Sequence, residues 1–482
     1  MKNYLNNILS NTSTIKIVGK TDILISKLEI DSRKAEKNSL FFAIKGTLSD
    51  GHLFINKAIE NGATAIICEN LPQNFVENIT YIKVENSQTA LSQIACNFYN
   101  NPSQKLKLVG VTGTNGKTTI ATLLYKLFSE FGYKVGLIST IKNYIGNNEI
   151  KATHTTPNSI ELNSLFSRMI DEGCEYCFME VSSHAIDQKR VDNLYFTGGI
   201  FTNITHDHLD YHKTFKNYIT AKKTFFDNLP KNAFALTNID DKNGNVMLQN
   251  TKATKYSYAL KTMADYKVKI IEANFNHTLL HIDKNEIWTQ FSGKFNAYNL
   301  LTVYSTAVLL GQDKLETLRI ISKLKPVAGR FETVEFNGII AIIDYAHTPD
   351  ALKNVIDTIN DVKKINQNLI TVVGAGGDRD KTKRPIMAKV TSQNSEKVIL
   401  TSDNPRTENP EAIIEDMYQG VDKDDIRKVL KITNREDAIK TAMFIAQKGD
   451  IILIAGKGHE NYQEINGVRT HFDDKEIVLK FS

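Results

Sequence analysis

Short, largely apolar runs alternate with helix-like segments through the middle of the 482-residue chain. Each run has the length of a buried strand, and apolar residues at helical spacing follow it. This alternation predicts a parallel sheet with helices on both faces. The strands predicted in this way cover residues 134–138, 177–181, 199–203 and 233–238.

The pattern changes over residues 266–291, where apolar and polar positions alternate one by one. A period of two is typical of strands with one buried and one solvated face, so this stretch predicts antiparallel hairpins. Asp283-Lys284-Asn285 is the predicted turn, since these residues tolerate the backbone conformations that turns require. A helix is predicted to follow over residues 297–310.

The pattern at the two ends of the chain also predicts mixtures of strands and helices. Near the start the pattern predicts strands at 39–44 and 63–68 with a helix at 53–61, and in the last third it predicts strands at 338–344, 369–373, 397–401 and 450–455. Asn100-Asn101-Pro102-Ser103 and residues 325–330 interrupt the periodic segments. We therefore expect three domains, covering residues 1–102, 103–328 and 329–482. This number agrees with a typical domain length of about 150 residues.

The composition is that of an ordinary globular protein, with 41% hydrophobic and 23% charged residues and a net charge of +5. Without a block of lysine and arginine, this mild basic excess favours small anionic substrates over nucleic acid. No run of about 18 apolar residues could span a membrane, and asparagines interrupt the apolar residues of positions 1–10, unlike a signal peptide. We expect a monomeric cytoplasmic protein without membrane insertion.

The four cysteines, at positions 68, 96, 174 and 177, are too few and too scattered for a disulfide framework. Cys174 and Cys177 form a C-x-x-C pair, which is compatible with zinc binding or redox chemistry. Because no second pair exists and the two run into an apolar strand, the pattern favours buried structural thiols.

The strongest chemical signal is Gly110-Val-Thr-Gly-Thr-Asn-Gly-Lys-Thr-Thr119, which lies between a predicted strand and a predicted helix. Glycines allow successive backbone N–H groups to face an anion, and the helix N-terminus adds its positive dipole. Lys117 would contact phosphates, and the Thr118 hydroxyl suits Mg²⁺. The spacing departs from the general Gly-x4-Gly-Lys pattern because five residues separate Gly110 from Gly116. A turn without a ligand is the alternative.

Polar residues follow two strands of the same section and should lie beside this loop. Glu180 is a hard oxygen ligand suited to Mg²⁺, whereas the histidines 206, 208 and 212 are borderline ligands. Their spacing fits a metal site or, equally well, strand-end histidines that bond to nearby carboxylates. Lys222 lies in a predicted helix whose local charge pattern indicates a solvated face.

In the last third of the chain, each of the four predicted strands ends in a polar or glycine-rich loop. Ligands of open parallel sheets bind at the carboxyl ends of strands, so these loops should converge on one small polar ligand. The four loops are Asp344-Tyr-Ala-His347, Gly374-Ala-Gly-Gly-Asp-Arg379, Asp403-Asn-Pro-Arg406 and Gly456-Lys-Gly-His-Glu460.

Five motifs together resemble the Mur ligase family of ATP-dependent amide-forming enzymes of peptidoglycan precursor synthesis. The motifs are Gly113-Thr-Asn-Gly-Lys-Thr-Thr119, Glu180-Val-Ser-Ser-His-Ala185, Thr202-Asn-Ile-Thr-His-Asp-His208, Gly329-Arg-Phe331 and Asp344-Tyr-Ala-His-Thr-Pro349. The resemblance covers essentially the whole chain, and the five-residue loop spacing is the one that this family shows. It implies an α/β protein of three domains, with a P-loop-type central sheet carrying added antiparallel strands and a Rossmann-like C-terminal domain.

The resemblance also implies roles for individual residues. Lys117, His208 and Lys222 would be catalytic, and Lys222 matches a lysine that carbon dioxide converts to a carbamate. Metal ligands would be Thr118, Glu180, His208 and carbamylated Lys222. ATP would contact Gly113, Thr114, Asn115, Gly116, Lys117, Thr118, Thr119, Asn296, Arg330 and Asp344. The UDP-linked substrate would contact Ser32, Thr155, Thr156, Ser182, Gln188 and Arg190.

The last third resembles the branch of the family that adds diaminopimelate. Arg406 offers a fork of donors suited to the extra carboxylate that distinguishes diaminopimelate from lysine. Glu460 would take the distal ammonium. The alternatives are a surface cation at Arg406 and a simple turn at Asn404-Pro405. The residues implied to bind diaminopimelate are Arg379, Asp403, Asn404, Pro405, Arg406, Gly456 and Glu460.

The activity implied is transfer of the ATP γ-phosphate to the D-glutamate γ-carboxylate of a UDP-N-acetylmuramoyl dipeptide, followed by attack of meso-diaminopimelate on the acyl phosphate. Mg²⁺ would assist, and the third domain would close over the second. A lysine-adding Mur ligase or a folylpolyglutamate synthase would share the P-loop and metal features. A P-loop switch that hydrolyses nucleotide without forming an amide belongs to a different class.

Overall fold

The computed structural model describes residues 3–46 and 49–481, which form three α/β units with a separate main sheet each. The sheet of the first unit has the order β1-β5-β4-β3-β2, and only β1 is antiparallel to its neighbour. Its strands are β1 (Lys16–Val18), β2 (Lys27–Glu29), β3 (Ser39–Phe42), β4 (Ala63–Cys68) and β5 (Thr80–Lys83). Its helices are α1 (Leu5–Ile8), α2 (Ile55–Glu60) and α3 (Ser87–Phe98), with 3₁₀ turns at Ser32–Lys34 and Gly51–Phe54.

The second unit begins after a 3₁₀ turn at Pro102–Lys105 and contains eleven strands. Its strands are β6 (Lys107–Thr112), β7 (Val135–Ile138), β8 (Lys142–Ile145), β9 (Asn148–Lys151), β10 (Tyr176–Glu180), β11 (Gly198–Phe201), β12 (Phe234–Asn238), β13 (Thr254–Ala259), β14 (Tyr266–Ala273), β15 (Thr278–Ile282) and β16 (Asn285–Thr289). Its helices are α4 (Lys117–Glu130), α5 (Ser159–Asp171), α6 (Ser183–Asp187), α7 (Leu209–His212), α8 (Phe215–Asp227), α9 (Gly244–Met247), α10 (Lys294–Leu309) and α11 (Lys314–Ile321).

The sheet order of the second unit is β16-β15-β14-β13-β12-β11-β6-β10-β7-β8-β9. The strands from β7 to β14 in this order are parallel, while β8-β9 and β15-β16 add antiparallel hairpins at the two edges. The hairpins predicted over 266–291 are therefore confirmed, and the turn between β15 and β16 lies at Asp283 and Lys284, both with positive φ.

The central strand β6 is buried because helices cover both faces of its sheet. Val109 and Val111 pack in the cluster that contains residues of α4 and α10, whereas Leu108 packs in the cluster that contains residues of α5 and α8. This alternation follows from the pleat of a strand, whose successive side chains point to opposite faces. With β10 and β11 on either side, β6 holds the loop after Thr112 at the middle of the sheet.

The third unit has a six-stranded sheet with the order β17-β18-β22-β19-β20-β21, in which only β17 is antiparallel to its neighbour. The strands are β17 (Glu332–Phe336), β18 (Ile339–Asp344), β19 (Leu369–Ala375), β20 (Lys397–Ser402), β21 (Val429–Lys431) and β22 (Ile451–Ala455), followed by a separate hairpin of β23 (Tyr462–Ile465) and β24 (Val468–His471). The helices are α12 (Pro349–Val362), α13 (Lys383–Asn394), α14 (Pro410–Tyr418), α15 (Arg435–Ile445) and α16 (Asp474–Phe481), with a 3₁₀ turn at Lys423–Lys428.

The predicted α/β class with three units is confirmed. The predicted boundaries after residues 102 and 328 stay a prediction. Within residues 3–46 and 49–481, no helix combines the length and the apolar character needed to cross a membrane.

Candidate active site

The glycine-rich loop lies between β6 and α4, as predicted, at the carboxyl end of the central strand. Gly113 has φ +150° and Gly116 has φ +90°, a region that favours glycine. A Cβ atom at Gly113 would clash with the Thr202 hydroxyl. The loop therefore runs against the residues that follow β11. The first N–H groups of α4 point out of the helix, an arrangement suited to phosphate oxygens.

Two lysines donate to the same carbonyl oxygen of this loop. Lys117 Nζ lies 3.0 Å from Gly113 O and 2.7 Å from Thr114 O, and Lys222 Nζ lies 2.9 Å from Gly113 O. Burial lowers the pKa of both lysines. The charge of Lys117 further lowers the pKa of Lys222, whereas the carboxylates of Glu180 and Asp207 oppose the lowering at Lys117. Two lysine nitrogens therefore line the candidate phosphate site. A protonated nitrogen there would attract phosphate, and a neutral one would be a nucleophile.

The solvated position that the charge pattern predicted for Lys222 is wrong, because this residue is 1% exposed. Lys222 lies on the buried face of α8, which consists of Tyr218, Ala221, Lys222, Phe225 and Phe226. Their helical spacing was visible in the sequence and could have revealed the burial. The neighbouring Lys223 is partly buried and pairs with Asp227 at 2.7 Å.

Glu180 ends β10 with its carboxylate turned toward the loop. Its Oε2 accepts a hydrogen bond from Thr118 Oγ1 at 2.9 Å, and its Oε1 accepts one from the Thr140 N–H at 2.7 Å. Glu180 is 1% exposed. A buried carboxylate and a hydroxyl beside a phosphate cradle are hard oxygen donors, so these residues fit Mg²⁺.

The three histidines have different surroundings. His206 Nε2 lies 3.6 Å from Asp380 Oδ2, His208 Nε2 lies 3.4 Å from Asp207 Oδ2, and His212 bonds to the Ser183 hydroxyl at 3.0 Å. Burial lowers the pKa of His208 to about 3, which keeps its imidazole neutral. Among the described residues, no group of three or more His, Cys, Asp or Glu side chains could hold a metal by itself.

The residues predicted for the UDP-linked substrate are divided between two places. Thr155, Thr156, Ser182 and Arg190 border the cleft beside the P-loop, and Arg190 Nη1 donates to Thr156 O at 2.8 Å. Gln188 does not border this cleft, but its Oε1 accepts hydrogen bonds from Arg190 at 3.1 and 2.6 Å. Ser32 lies in the first unit, and its carbonyl accepts a hydrogen bond from Asn61 at 2.8 Å.

The third unit contacts the P-loop directly through the predicted nucleotide residues. Arg330 Nη2 donates to Thr118 Oγ1 at 3.3 Å, and its guanidinium stacks on the Tyr345 ring at 4.4 Å. The buried Asp344 carboxylate accepts the N–H groups of Phe331 and Ala346, both at 2.7 Å. Burial raises the pKa of Asp344, while Arg330 and these N–H groups oppose the rise.

Asp350, at the start of α12, is a second contact that the sequence did not reveal. Its Oδ2 accepts hydrogen bonds from Asn115 Nδ2 at 3.0 Å and from Thr205 Oγ1 at 3.3 Å. Asn115 and Thr205 precede Asp350 in the sequence by 235 and 145 positions. No local pattern signals such a pair, because only the packing of one unit on another creates it.

The four polar loops of the third unit follow β18, β19, β20 and β22, which are adjacent in the sheet, so the predicted convergence occurs. Arg406 Nη1 donates to Gly377 O at 2.7 Å, and Asn404 Nδ2 donates to Glu460 Oε2 at 2.7 Å. Lys457, which the sequence did not single out, is fully buried and lies 3.3 Å from the same Glu460 oxygen. Burial and the charge of Asp403 raise the pKa of Glu460.

A cleft of about 890 Å³ joins these loops to the P-loop. It is bordered by most of the predicted site residues, including Lys117, Lys222, Arg379 and Arg406. The predicted residues that do not border it are Ser32, Gly113, Gln188, Asn296 and Pro405. Asn296 accepts a hydrogen bond at 3.2 Å from Asn299, which does border the cleft.

Cys174 and Cys177 lie outside this cleft and are buried free thiols, the arrangement that the sequence favoured. Burial raises the pKa of both, strongly so for Cys177. A buried thiol with a raised pKa is a poor nucleophile and metal ligand.

Comparison with known proteins assigns a family to each part of the chain. Residues 24–99 match the Mur ligase family catalytic domain, residues 111–307 the Mur ligase middle domain, and residues 329–458 the Mur ligase glutamate ligase domain. The chain is 57% identical over 475 residues to the UDP-N-acetylmuramoyl-L-alanyl-D-glutamate--2,6-diaminopimelate ligase of Bacteroides fragilis, covering 98% of each protein.

Solved structures agree with this assignment. A structure of UDP-N-acetylmuramoyl-L-alanyl-D-glutamate--2,6-diaminopimelate ligase is 31% identical, with a TM-score of 0.70 over 100% of this chain and 98% of that chain. The MurF ligase of Thermotoga maritima in complex with ADP is 21% identical, with a TM-score of 0.61 over 89% of this chain and 93% of that chain, a likeness that concerns the fold alone. The chain therefore belongs to the Mur ligase family.

Proposed function

We propose that this ligase uses ATP to join meso-2,6-diaminopimelate to the D-glutamate γ-carboxylate of UDP-N-acetylmuramoyl-L-alanyl-D-glutamate, a step of peptidoglycan precursor synthesis in the cytoplasm. The observation that carries the proposal is the single cleft in which the P-loop meets the loops of Arg379 and Arg406. The names of the relatives that align over nearly the whole chain support the same substrates.

In the first step, an oxygen of the γ-carboxylate attacks the γ-phosphorus of ATP, and the bond to the β-phosphate oxygen breaks to release ADP. Lys117 and the N–H groups at the start of α4 hold the phosphates and oppose the charge that develops on them. On ATP binding, Lys117 exchanges the carbonyls of Gly113 and Thr114 for phosphate oxygens. Arg330 adds a second positive charge at 3.3 Å from the Thr118 hydroxyl.

In the second step, the amine of diaminopimelate attacks the acyl carbon, the carbon–oxygen bond to phosphate breaks, and the nitrogen loses one proton. Arg406 and Arg379 hold the carboxylates of diaminopimelate, and Asp403, Asn404 and Glu460 face its amines. Fixing both reactants in one cleft removes most of the entropic cost of bringing them together.

Thr118, Glu180, His208 and a carbamate on Lys222 would hold Mg²⁺, which when bound supplies positive charge to the phosphate oxygens. The Lys222 nitrogen attacks the carbon of CO₂, a nitrogen–carbon bond forms, and one proton leaves to solvent. The resulting anion offers hard oxygens to the metal. Lys222 is buried and forms no ion pair with a carboxylate among the described residues, and burial lowers its pKa although the charge of Asp207 opposes this. These observations support the step, because burial favours the neutral, nucleophilic form of an amine.

ADP release across a panel of amino acids tests the proposed function. With UDP-N-acetylmuramoyl dipeptide and ATP present, we expect release with meso-diaminopimelate to exceed release with lysine, ornithine or glutamate by at least about tenfold, the effect of one good charge-assisted contact. Equal rates with lysine would contradict the proposed substrate. Release that needs neither the dipeptide nor an amino acid would indicate a nucleotide-hydrolysing switch instead.

Arg406→Ala should raise the KM for diaminopimelate about 10- to 100-fold, because a hydrogen-bonded charge pair contributes about 1.5–3 kcal/mol. The KM for ATP should change by less than about twofold, since the hydrogen bonds described for Arg406 join it to Gly377, Glu464 and Asn466 of the third unit. Initial-rate measurements on both substrates separate the two effects.

The matched control is Arg427→Ala, which removes an exposed arginine of the same unit. It should leave both KM values unchanged. If Arg406→Ala left the KM for diaminopimelate unchanged, Arg406 would be the surface cation of the alternative interpretation.

A further inference from the structure

Arg384, in the first turn of α13, is a buried arginine that borders no part of the cleft yet joins two of its loops. It is 1% exposed. Its Nη1 and Nη2 atoms donate to Glu408 Oε2 and Oε1 at 3.0 and 2.8 Å, and Nη2 also lies 3.3 Å from Gly376 O. One guanidinium therefore holds the end of the loop after β20 and the beginning of the loop after β19.

Glu408 continues this connection. Its Oε1 accepts a hydrogen bond from the Asp378 N–H at 2.6 Å, and the Arg384 guanidinium holds the pKa of Glu408 at about 2. The Glu408 side chain is only 17% exposed, so the pair with Arg384 is shielded from solvent. A two-point pair of this kind fixes orientation as well as distance, since both planar groups must be aligned.

The two loops joined in this way carry the arginines that face the substrate. Arg379 follows Asp378 directly, and Arg406 precedes Glu408 by two residues. Thr407 Oγ1 donates to Asp378 Oδ1 at 2.7 Å, and a Cβ atom at Gly377 would clash with Pro405 O. The loops are therefore in direct contact, and a shift of one must move the other.

Arg406 also has a backbone conformation that its surroundings must maintain. Its φ is +53°, in the left-handed region that residues other than glycine seldom adopt. Such a conformation persists only where neighbouring contacts determine it. Two of these contacts come from the β23-β24 hairpin, where Arg406 N–H donates to Glu464 O at 3.0 Å and Asn466 N–H donates to Arg406 O at 2.7 Å. The residue before Arg406 is also held, because the Glu408 N–H donates to Pro405 O at 3.0 Å and the Glu408 carboxylate is held by Arg384.

We propose that Arg384, acting through Glu408, is a positioning residue that sets the direction of Arg406 and thereby the choice of amino acid. The inference rests on the proposed function, since Arg406 is the residue that would recognise the second carboxylate. Lysine could not replace Arg384, because an ammonium is a point charge without the planar fork that Glu408 engages.

Arg384→Lys and Glu408→Gln should each raise the KM for diaminopimelate about tenfold and lower the ratio of kcat/KM for diaminopimelate to that for lysine by a similar factor. The KM for ATP should stay within about twofold. Asp416→Asn is the matched control, because Asp416 Oδ2 accepts from the same guanidinium at 2.8 Å but lies on α14, outside both loops. It should leave the ratio unchanged, as should Lys381→Ala, which removes an exposed partner of Glu408.

A double-mutant cycle distinguishes positioning from general destabilisation. If Glu408 acts through Arg406, Glu408→Gln should raise the KM for diaminopimelate no further in an Arg406→Ala background. If the two substitutions raised the KM independently, so that their effects multiplied, the inference would be overturned. It would also be overturned if folded Arg384→Lys and Glu408→Gln kept the wild-type KM for diaminopimelate and the wild-type ratio of kcat/KM for diaminopimelate to that for lysine. If Arg384→Lys does not fold, the Glu408→Gln variant and the double-mutant cycle test the positioning role.

The wild-type amino-acid panel keeps the two proposals separate. If the wild type prefers diaminopimelate and the variants keep that preference, the role of Arg384 is wrong and the proposed function stands. If the wild type prefers a different amino acid, the proposed function fails, and the same cycle with that amino acid tests whether Arg384 positions Arg406.

Discussion

Replacing Lys222 by alanine should lower kcat about 100- to 1,000-fold, the usual effect of removing one preorganised charge from a transition state. The structure gives this lysine a fully buried position beside the P-loop, with its Nζ 2.9 Å from Gly113 O. Alanine removes the nitrogen that would carry the carbamate and with it one oxygen ligand of Mg²⁺. Steady-state ADP release measures the loss, and mass spectrometry of the native protein should detect the added CO₂ on the wild type only.

Short carboxylates such as acetate should restore part of the activity of Lys222→Ala, since they can place an anion in the space left by the side chain. Lys223→Ala is the matched control, because the neighbouring lysine pairs with Asp227 and, among the described residues, has no hydrogen bond to the loop. It should retain wild-type kcat. Full activity in Lys222→Ala would rule out the carbamate.

Lys117→Ala should lower kcat/KM for ATP about 1,000-fold or more, the scale on which a single cation acts in phosphoryl transfer. Lys117 Nζ already lies within 3.0 Å of two carbonyls of the phosphate-binding loop, so a modest rotation brings it to the phosphates. The variant should bind ATP more weakly by calorimetry while its thermal unfolding temperature changes little.

Lys126→Ala provides the comparison for Lys117→Ala. Lys126 is a partly buried lysine of the same helix, α4, and burial lowers its pKa as well. It lies about two and a half helical turns beyond Lys117, near Lys325, so its removal should leave kcat/KM for ATP unchanged. A similar loss in both variants would show that the helix, and not the charge at the phosphates, was disturbed.

The buried strands of the fold could be predicted from the sequence because burial on both faces leaves a plain apolar run. The strand predicted at 63–68 has the observed bounds, and the one predicted at 177–181 is shifted by a single residue to Tyr176–Glu180. The hairpins over 266–291 were recognisable because each has one solvated face. The order of the strands across the sheet could not be predicted, since strand pairing depends on contacts between distant segments.

The candidate site was predictable where a motif carries its own chemistry, as in the P-loop and in the loop of Arg406. It was not predictable where a side chain acts through packing. Lys222 looked solvated when judged by the charges around it, whereas its spacing from Tyr218 and Phe225 placed it on the buried face. Arg384 gave no signal at all, because its partners come from three separate segments of the chain.

The contacts of Asp350 with Asn115 and Thr205 have a consequence for the fate of the acyl phosphate. They hold the start of α12 against the P-loop, and the loops of the third unit border the same cleft as the P-loop, where the proposed acyl phosphate would form. An acyl phosphate is reactive toward water as well as toward amines, and enclosure of such an intermediate limits its hydrolysis. On the proposed mechanism, the same contacts that join the two units would favour amide formation over futile consumption of ATP.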